Sequence, residues 1–178
     1  MLANSADSYG LVSKMVHWAI ALCIIFLIWL GWWMVDLSFY SQFYYAAPNF
    51  HKALGIVVFA VAALKLIWHA VSRPPPPQAD LKPFEKLGAR VVHTILLASM
   101  FVIPVTGYLQ TTVKGEGVSM FGLFEIPALY RSSEWLRDVS IDVHAWFSYA
   151  LIAIVVLHAG AALKHQFIDK KQTLRRIL

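Results

Sequence analysis

Four long apolar runs, each followed by a polar, aromatic or proline-rich stretch, set the pattern of this chain. A bilayer core of about 30 Å needs roughly 20 apolar residues in a helix. The runs at about 12–35, 50–72, 87–111 and 141–163 therefore predict four membrane-spanning helices. The fold class expected is an all-α integral membrane protein, a four-helix transmembrane bundle forming a single domain over residues 1–178. The stretch RPPPPQADLKP at 73–83 cannot continue a helix and reads as a stiff stop after the second span. Pro104 and Gly107 in IPVTGY predict a bend near the far end of the third. The third connection, about 112–140, is long for a bundle. Its segment YRSSEWLRDVS predicts a short interfacial helix with Trp135 and Leu136 towards lipid.

Composition agrees with this class. The chain is 59% hydrophobic and only 14% charged, which excludes an ordinary soluble domain. A net charge of +5 suggests nucleic acid in a soluble protein. Here the cations flank apolar runs, so no nucleic-acid partner is expected and the charge reads as topology and membrane lipid contact. The second connection carries Arg73, Lys82, Lys86 and Arg90, and the tail carries Lys164, Lys170, Lys171, Arg175 and Arg176. The first connection has no lysine or arginine, and the third mixes cations with acids. The positive-inside rule then puts both termini in the cytoplasm. The N-terminal MLANSADSYGLVSK lacks a basic n-region, so the first run is expected to be an uncleaved helix. Cys23 is the single cysteine; it permits no intrachain disulfide, no cysteine-held iron–sulfur cluster and no CxxCH haem attachment.

Seven histidines in such a chain change the picture. An ionisable ring inside a span is a functional candidate. With the termini inside, His51 and His144 fall near the outer face, while His17, His69, His93 and His158 fall near the cytoplasm. His165 lies just beyond the last span. His144 and His158 are 14 positions apart, close to four helical turns, so they share one face about 21 Å apart. Two planar cofactors stacked across the membrane would each need a second ligand at matching depth. The outer level offers His51; the inner offers His17, with His69 and His93 as competitors. Two imidazoles per level make a poor zinc or copper site, which wants three or four protein ligands. They suit haem, whose macrocycle already fills four positions on iron. Lys52 beside His51, and Lys65 on the same stripe, are candidate cations for the haem propionates.

The order of HW at 17–18, HKALG at 51–55, RPPPP after the second span and His93 followed by IPVTG resembles the bacterial di-haem cytochrome b561 family. That family is related to the membrane cytochrome b subunits of hydrogenases and formate dehydrogenases. FGLFEIP at 121–127, the His144/His158 pair and LKHQFIDKKQTLRRI at 163–177 extend the resemblance over essentially the whole chain. It implies two non-covalent haem b groups in the bacterial inner membrane, one on His51 and His144, the other on His17 and His158. It also implies that His93 and His165 lie near the inner haem, as propionate or quinone contacts. The family's usual arginines at the positions of Lys65 and His69 are absent from KLIWH; lysine keeps the charge but not the bidentate fork.

Three functions follow. The first is transmembrane electron transfer from an outer-face donor to a membrane quinone, with superoxide:quinone oxidoreductase as the activity the resemblance offers. The second is a haem relay for a partner dehydrogenase or periplasmic redox protein, docking on LSFYSQFYYAAPNF or on the third connection. The third is a non-redox scaffold or metal carrier, which predicts a colourless preparation.

Overall fold

The computed structural model describes residues 1–178. Its four long helices are α1 (Leu11–Val35), α2 (Ala46–Val71), α3 (Pro83–Leu109) and α4 (Glu134–Leu163). All four are long and apolar enough to cross a membrane. Even α1, with 25 residues, reaches about 37 Å at 1.5 Å per residue. The all-α bundle expected from the pattern is what the chain forms, with one addition. A small antiparallel ribbon, β1 (Val118–Met120) and β2 (Phe124–Ile126), lies in the third connection and packs on α2.

Local chemistry fixes the helix starts, and two lie well upstream of the apolar runs. Pro83 opens α3, and the Glu85 carboxylate accepts the Lys82 N–H at 2.8 Å. Ser133 Oγ accepts the Leu136 N–H at 3.2 Å and caps α4, with Glu134 in the first turn. The separate interfacial helix expected at YRSSEWLRDVS is therefore corrected: from Glu134 that segment is the first part of α4 itself. Hydropathy marks where a helix enters lipid, whereas the cap marks where the helix begins. α3 continues as one helix through Pro104, and the Thr106 hydroxyl donates to the Val102 and Ile103 carbonyls, both at 2.9 Å.

Successive helices pack as neighbours, α1 on α2, α2 on α3 and α3 on α4. Both termini and the proline connection therefore share one end of the bundle, the terminal end; the other two connections share the far end. Ile20, Val58, Ala62 and Met100 form the core between α1, α2 and α3. Ala53 and Ala62 are fully buried, as expected where backbones approach closely in a membrane bundle.

The terminal end is tied by polar contacts. The Leu11 and Val12 N–H groups donate to the Met1 and Leu2 carbonyls at 3.0 and 3.3 Å, satisfying the start of α1 without a side-chain cap. Asn4 Nδ2 donates to the Ser72 carbonyl at 2.9 Å. The tail folds back, with Arg176 donating to the Asp7 and Pro76 carbonyls at 2.9 and 3.0 Å. At the far end, the Tyr108 hydroxyl donates to the Pro127 carbonyl at 2.9 Å and accepts the Leu129 N–H at 2.6 Å, anchoring the third connection to α3.

Candidate functional site

Each helix carries two chemistry-bearing positions 14 residues apart: His17 and Gly31 on α1, His51 and Lys65 on α2, His93 and Gly107 on α3, His144 and His158 on α4. Fourteen residues are close to four turns, so both members of each pair face the same way. Because neighbouring helices run in opposite directions, the eight positions gather into two levels. Gly31, His51, Gly107 and His144 make the far level; His17, Lys65, His93 and His158 make the terminal level.

At the far level the His51 and His144 rings face each other with centroids 6.2 Å apart. Each ring lies against a glycine of a third helix. A Cβ added to Gly31 would stand 3.3 Å from His51 Cε1 and 3.8 Å from its Nδ1. A Cβ on Gly107 would stand 3.1 Å from His144 Cε1 and 3.3 Å from its Nδ1. Both rings thus turn their Nδ1–Cε1 edge to a glycine, leaving Nε2 for the bundle interior. His144 Nδ1 donates to the Ile103 carbonyl at 2.9 Å, which fixes the tautomer whose Nε2 carries the free lone pair. His51 Nδ1 is buried with no hydrogen-bond partner.

At the terminal level His17 and His158 have ring centroids 6.3 Å apart, and His93 packs on His158 at 5.2 Å. Lys65 lies close enough to act on the charge of all three rings. His69 also feels Lys65 but makes no ring contact with the trio. The four candidate ligands are therefore brought together in two pairs, and His93 joins the terminal pair. His165 instead donates its Nδ1–H to Asp169 at 2.7 Å. Lys52 lies in reach of Glu116 from the third connection.

These distances test whether haem fits the residues present. With a first-row metal–imidazole bond of about 2.0 Å and about 1.1 Å from nitrogen to ring centre, two rings on one iron have centroids ~6.2 Å apart. The 6.2 and 6.3 Å pairs match, and the 5.2 Å pair is too close. The glycine cradles and the Ile103 hydrogen bond add the support that ligating imidazoles require. The residues fit.

Sequence reasoning missed Gly31 and read Gly107 only as part of a bend. The same 14-residue arithmetic, applied to glycines as well as histidines, would have found both. It also missed the group formed by Glu85, His165 and Asp169, whose ligand atoms lie within 4.8 Å of one another. No spacing rule joins α3 to the tail.

A family model described as prokaryotic cytochrome b561 matches residues 8–178. Cytochrome b561 homolog 2 of Escherichia coli (strain K12) is 36% identical over 175 residues, covering 98% of this chain and 93% of that protein. Cytochrome b561 homolog 1 of the same organism is 28% identical over 142 residues, 78% of each chain. A probable superoxide oxidase, CybB, of Yersinia pestis is 22% identical over 172 residues, covering 96% of this chain and 95% of that protein.

Proposed function

The chain belongs to the prokaryotic cytochrome b561 family, a family of haem b electron-transfer proteins, and from that premise we propose that it carries electrons across the bilayer through two haem b groups to a quinone. His51 and His144 hold one haem at the far level, and His17 and His158 hold the other at the terminal level. The observation that carries this reading is the pair of centroid spacings, 6.2 and 6.3 Å, at two levels of one bundle. When bound, the iron supplies one-electron redox chemistry that no side chain here can supply. The protein's own work is to hold and orient. Gly31 and Gly107 let the rings approach α1 and α3, and the Ile103 carbonyl sets the His144 tautomer.

The two levels differ in what they add to the ligand pair. The far level adds two glycines, which suits electron transfer without protons. The terminal level adds His93 and Lys65, two groups that can hold a proton or a charge, which suits a quinone that takes both electrons and protons. With the termini cytoplasmic, as the basic connections argue, electrons enter at the outer face and leave at the inner. A relative is described as a probable superoxide oxidase, and we extend that donor to this chain. Two superoxide ions give up one electron each and become dioxygen; one quinone takes both electrons with two protons and becomes quinol. Approach of an anion is aided by Arg131, which donates to the Val113 carbonyl and has no carboxylate partner. Arg137 is neutralised by Glu134 and Asp138.

The test is a reduced-minus-oxidised spectrum with haem quantification, followed by mixing the protein with a superoxide source and a ubiquinone analogue. Two haems per chain and superoxide-dependent quinol formation are expected. A single haem sinks the two-level assignment. A two-haem protein that leaves the quinone oxidised supports the second reading, a relay for a partner protein. Exposed Tyr40, Leu123 and Leu129 at the far end favour that reading.

Two variants probe the supports. Gly107→Val places methyl groups where a single Cβ would already stand 3.1 Å from His144. Overpacking of this kind costs about 1–3 kcal/mol, so the far-level haem is expected to bind roughly tenfold or more weakly, with the terminal-level spectrum kept. An unchanged haem content in titration would remove Gly107 from the site. His69→Ala is expected to leave haem content at the wild-type value; loss of one haem would make His69 a ligand.

A further inference from the structure

Beyond the last apolar residues, α4 widens into a π-helical turn, Lys164–Ile168, in which the Asp169 N–H donates to the Lys164 carbonyl at 3.0 Å. Such turns are rare and recur at functional sites. This one folds the Asp169 carboxylate back onto its own helix, where Oδ2 accepts from Lys164 Nζ at 2.6 Å and from His165 Nδ1 at 2.7 Å. Glu85 of α3 stands beside them and takes Lys171 Nζ at 3.0 Å. Exposure falls along the group, from 53% for the Lys164 side chain to 23% for Asp169, 15% for His165 and 11% for Glu85. One edge of the cluster meets water, and the other is sealed in protein.

This group is not a metal centre in disguise. Each of its two carboxylates already has an ammonium partner, Asp169 with Lys164 and Glu85 with Lys171. The Lys164 ammonium, then the His165 imidazole, hold the Asp169 carboxyl below its ordinary range, so it stays an anion that orients and steadies the ring. Glu85 holds the Lys171 ammonium above its ordinary range, with Asp80 also in reach.

The cluster lines up with the terminal level. His165 follows His158 by seven residues, about two turns or roughly 10 Å of rise, the last two of them in the π turn that continues α4. Glu85 precedes His93 by eight residues on α3. The α3–α4 seam therefore carries titratable groups at two heights about 10 Å apart. A quinone ring bonded at both carbonyls, with about 2.8 Å for each hydrogen bond, has about that length. Between the heights, Ala162, four residues after His158, puts only a methyl group on this face of α4. Gln166 Oε1, on the same π turn, is buried without a donor, an acceptor suited to a quinol hydroxyl.

We propose that His165, held in place by the Asp169 carboxylate and with Glu85 beside them, is a proton-delivery relay for a quinone reduced next to the terminal-level histidines. This rests on the quinone reading above. Reduction needs two electrons, arriving singly from the protein, and two protons. The His165 imidazolium gives its Nε2 proton to a quinone oxygen, breaking N–H and forming O–H. It keeps its Nδ1–H on Asp169 and regains a proton from water at the exposed edge. The two turnovers of the ring balance the two electrons.

The test compares two oxidants on the chemically reduced holoprotein in stopped flow: a decyl-tailed ubiquinone, which needs protons, and ferricyanide, which does not. For Asp169→Asn and His165→Gln the quinone phase is expected to slow roughly tenfold or more, within the range that general acid catalysis contributes. Its dependence on pH should flatten, while the ferricyanide phase and the haem content stay at wild-type values. Equal slowing with both oxidants, or no slowing with either, overturns the relay. A wild-type protein that ferricyanide oxidises and the quinone does not overturns the quinone reading, and the relay with it.

Discussion

His144→Ala is expected to halve the haem content of the purified protein, from two per chain to one. The imidazole removed is the better supported of the far-level pair, fixed by the Ile103 carbonyl at 2.9 Å and bedded on Gly107. His51 would be left as a lone ligand, with a buried Nδ1 that already lacks a partner, and one imidazole with no tautomer-fixing bond is a weak hold. The terminal-level pair stands about 21 Å further along α4, and sites that far apart with no shared partner behave independently. The remaining spectrum should therefore be that of one six-coordinate haem. Pyridine haemochrome quantification against protein mass checks the ratio, and the same result is expected for His51→Ala. Loss of both haems from either variant would mean that the two levels are a single cooperative unit. Retention of both would remove these rings from the ligand set.

The second large effect separates two histidines that sequence depth could not. His17→Ala is expected to remove the terminal-level haem and abolish quinone reduction, while His93→Ala is expected to keep that haem. The ground is metric: His17 and His158 are 6.3 Å apart at their centroids, His93 and His158 only 5.2 Å. An iron between two imidazoles needs ~6.2 Å, so His93 crowds the side of a ligand and does not share the metal with it. Haem quantification again decides. If His93→Ala loses a haem and His17→Ala does not, the second axial ligand comes from α3 and the pairing proposed here is wrong.

The outcome for the fold can be argued element by element. The four apolar runs gave the four helices because hydrocarbon demands about twenty apolar residues wherever a backbone crosses it. Helix starts were less legible, since Ser133 and Pro83 lie in polar stretches that hydropathy discounts. The ribbon at Val118–Ile126 depends on packing against α2, and a three-residue strand has too little pattern to announce itself. The histidines were legible as a set because a titratable ring in lipid is costly and must have a reason. Their two glycine cradles were not, because a glycine's meaning lies in what approaches it.

What the sequence alone determined is periodic and solvent-driven: four spans, two of the four 14-residue pairs, and six histidines that divide between two depths. These follow from the thickness of the bilayer and the pitch of a helix, quantities any such chain must obey. What only the tertiary structure decided is which side chains meet across helices. That includes His17 over His93 as the partner at iron-spanning distance from His158, Gly31 and Gly107 behind the rings, the Ile103 carbonyl on His144, and Glu85 of α3 beside His165 and Asp169 of the tail. Helical pitch fixes neighbours along one element, but distances between elements depend on how helices rotate and pack against one another. No spacing within a single run contains that information.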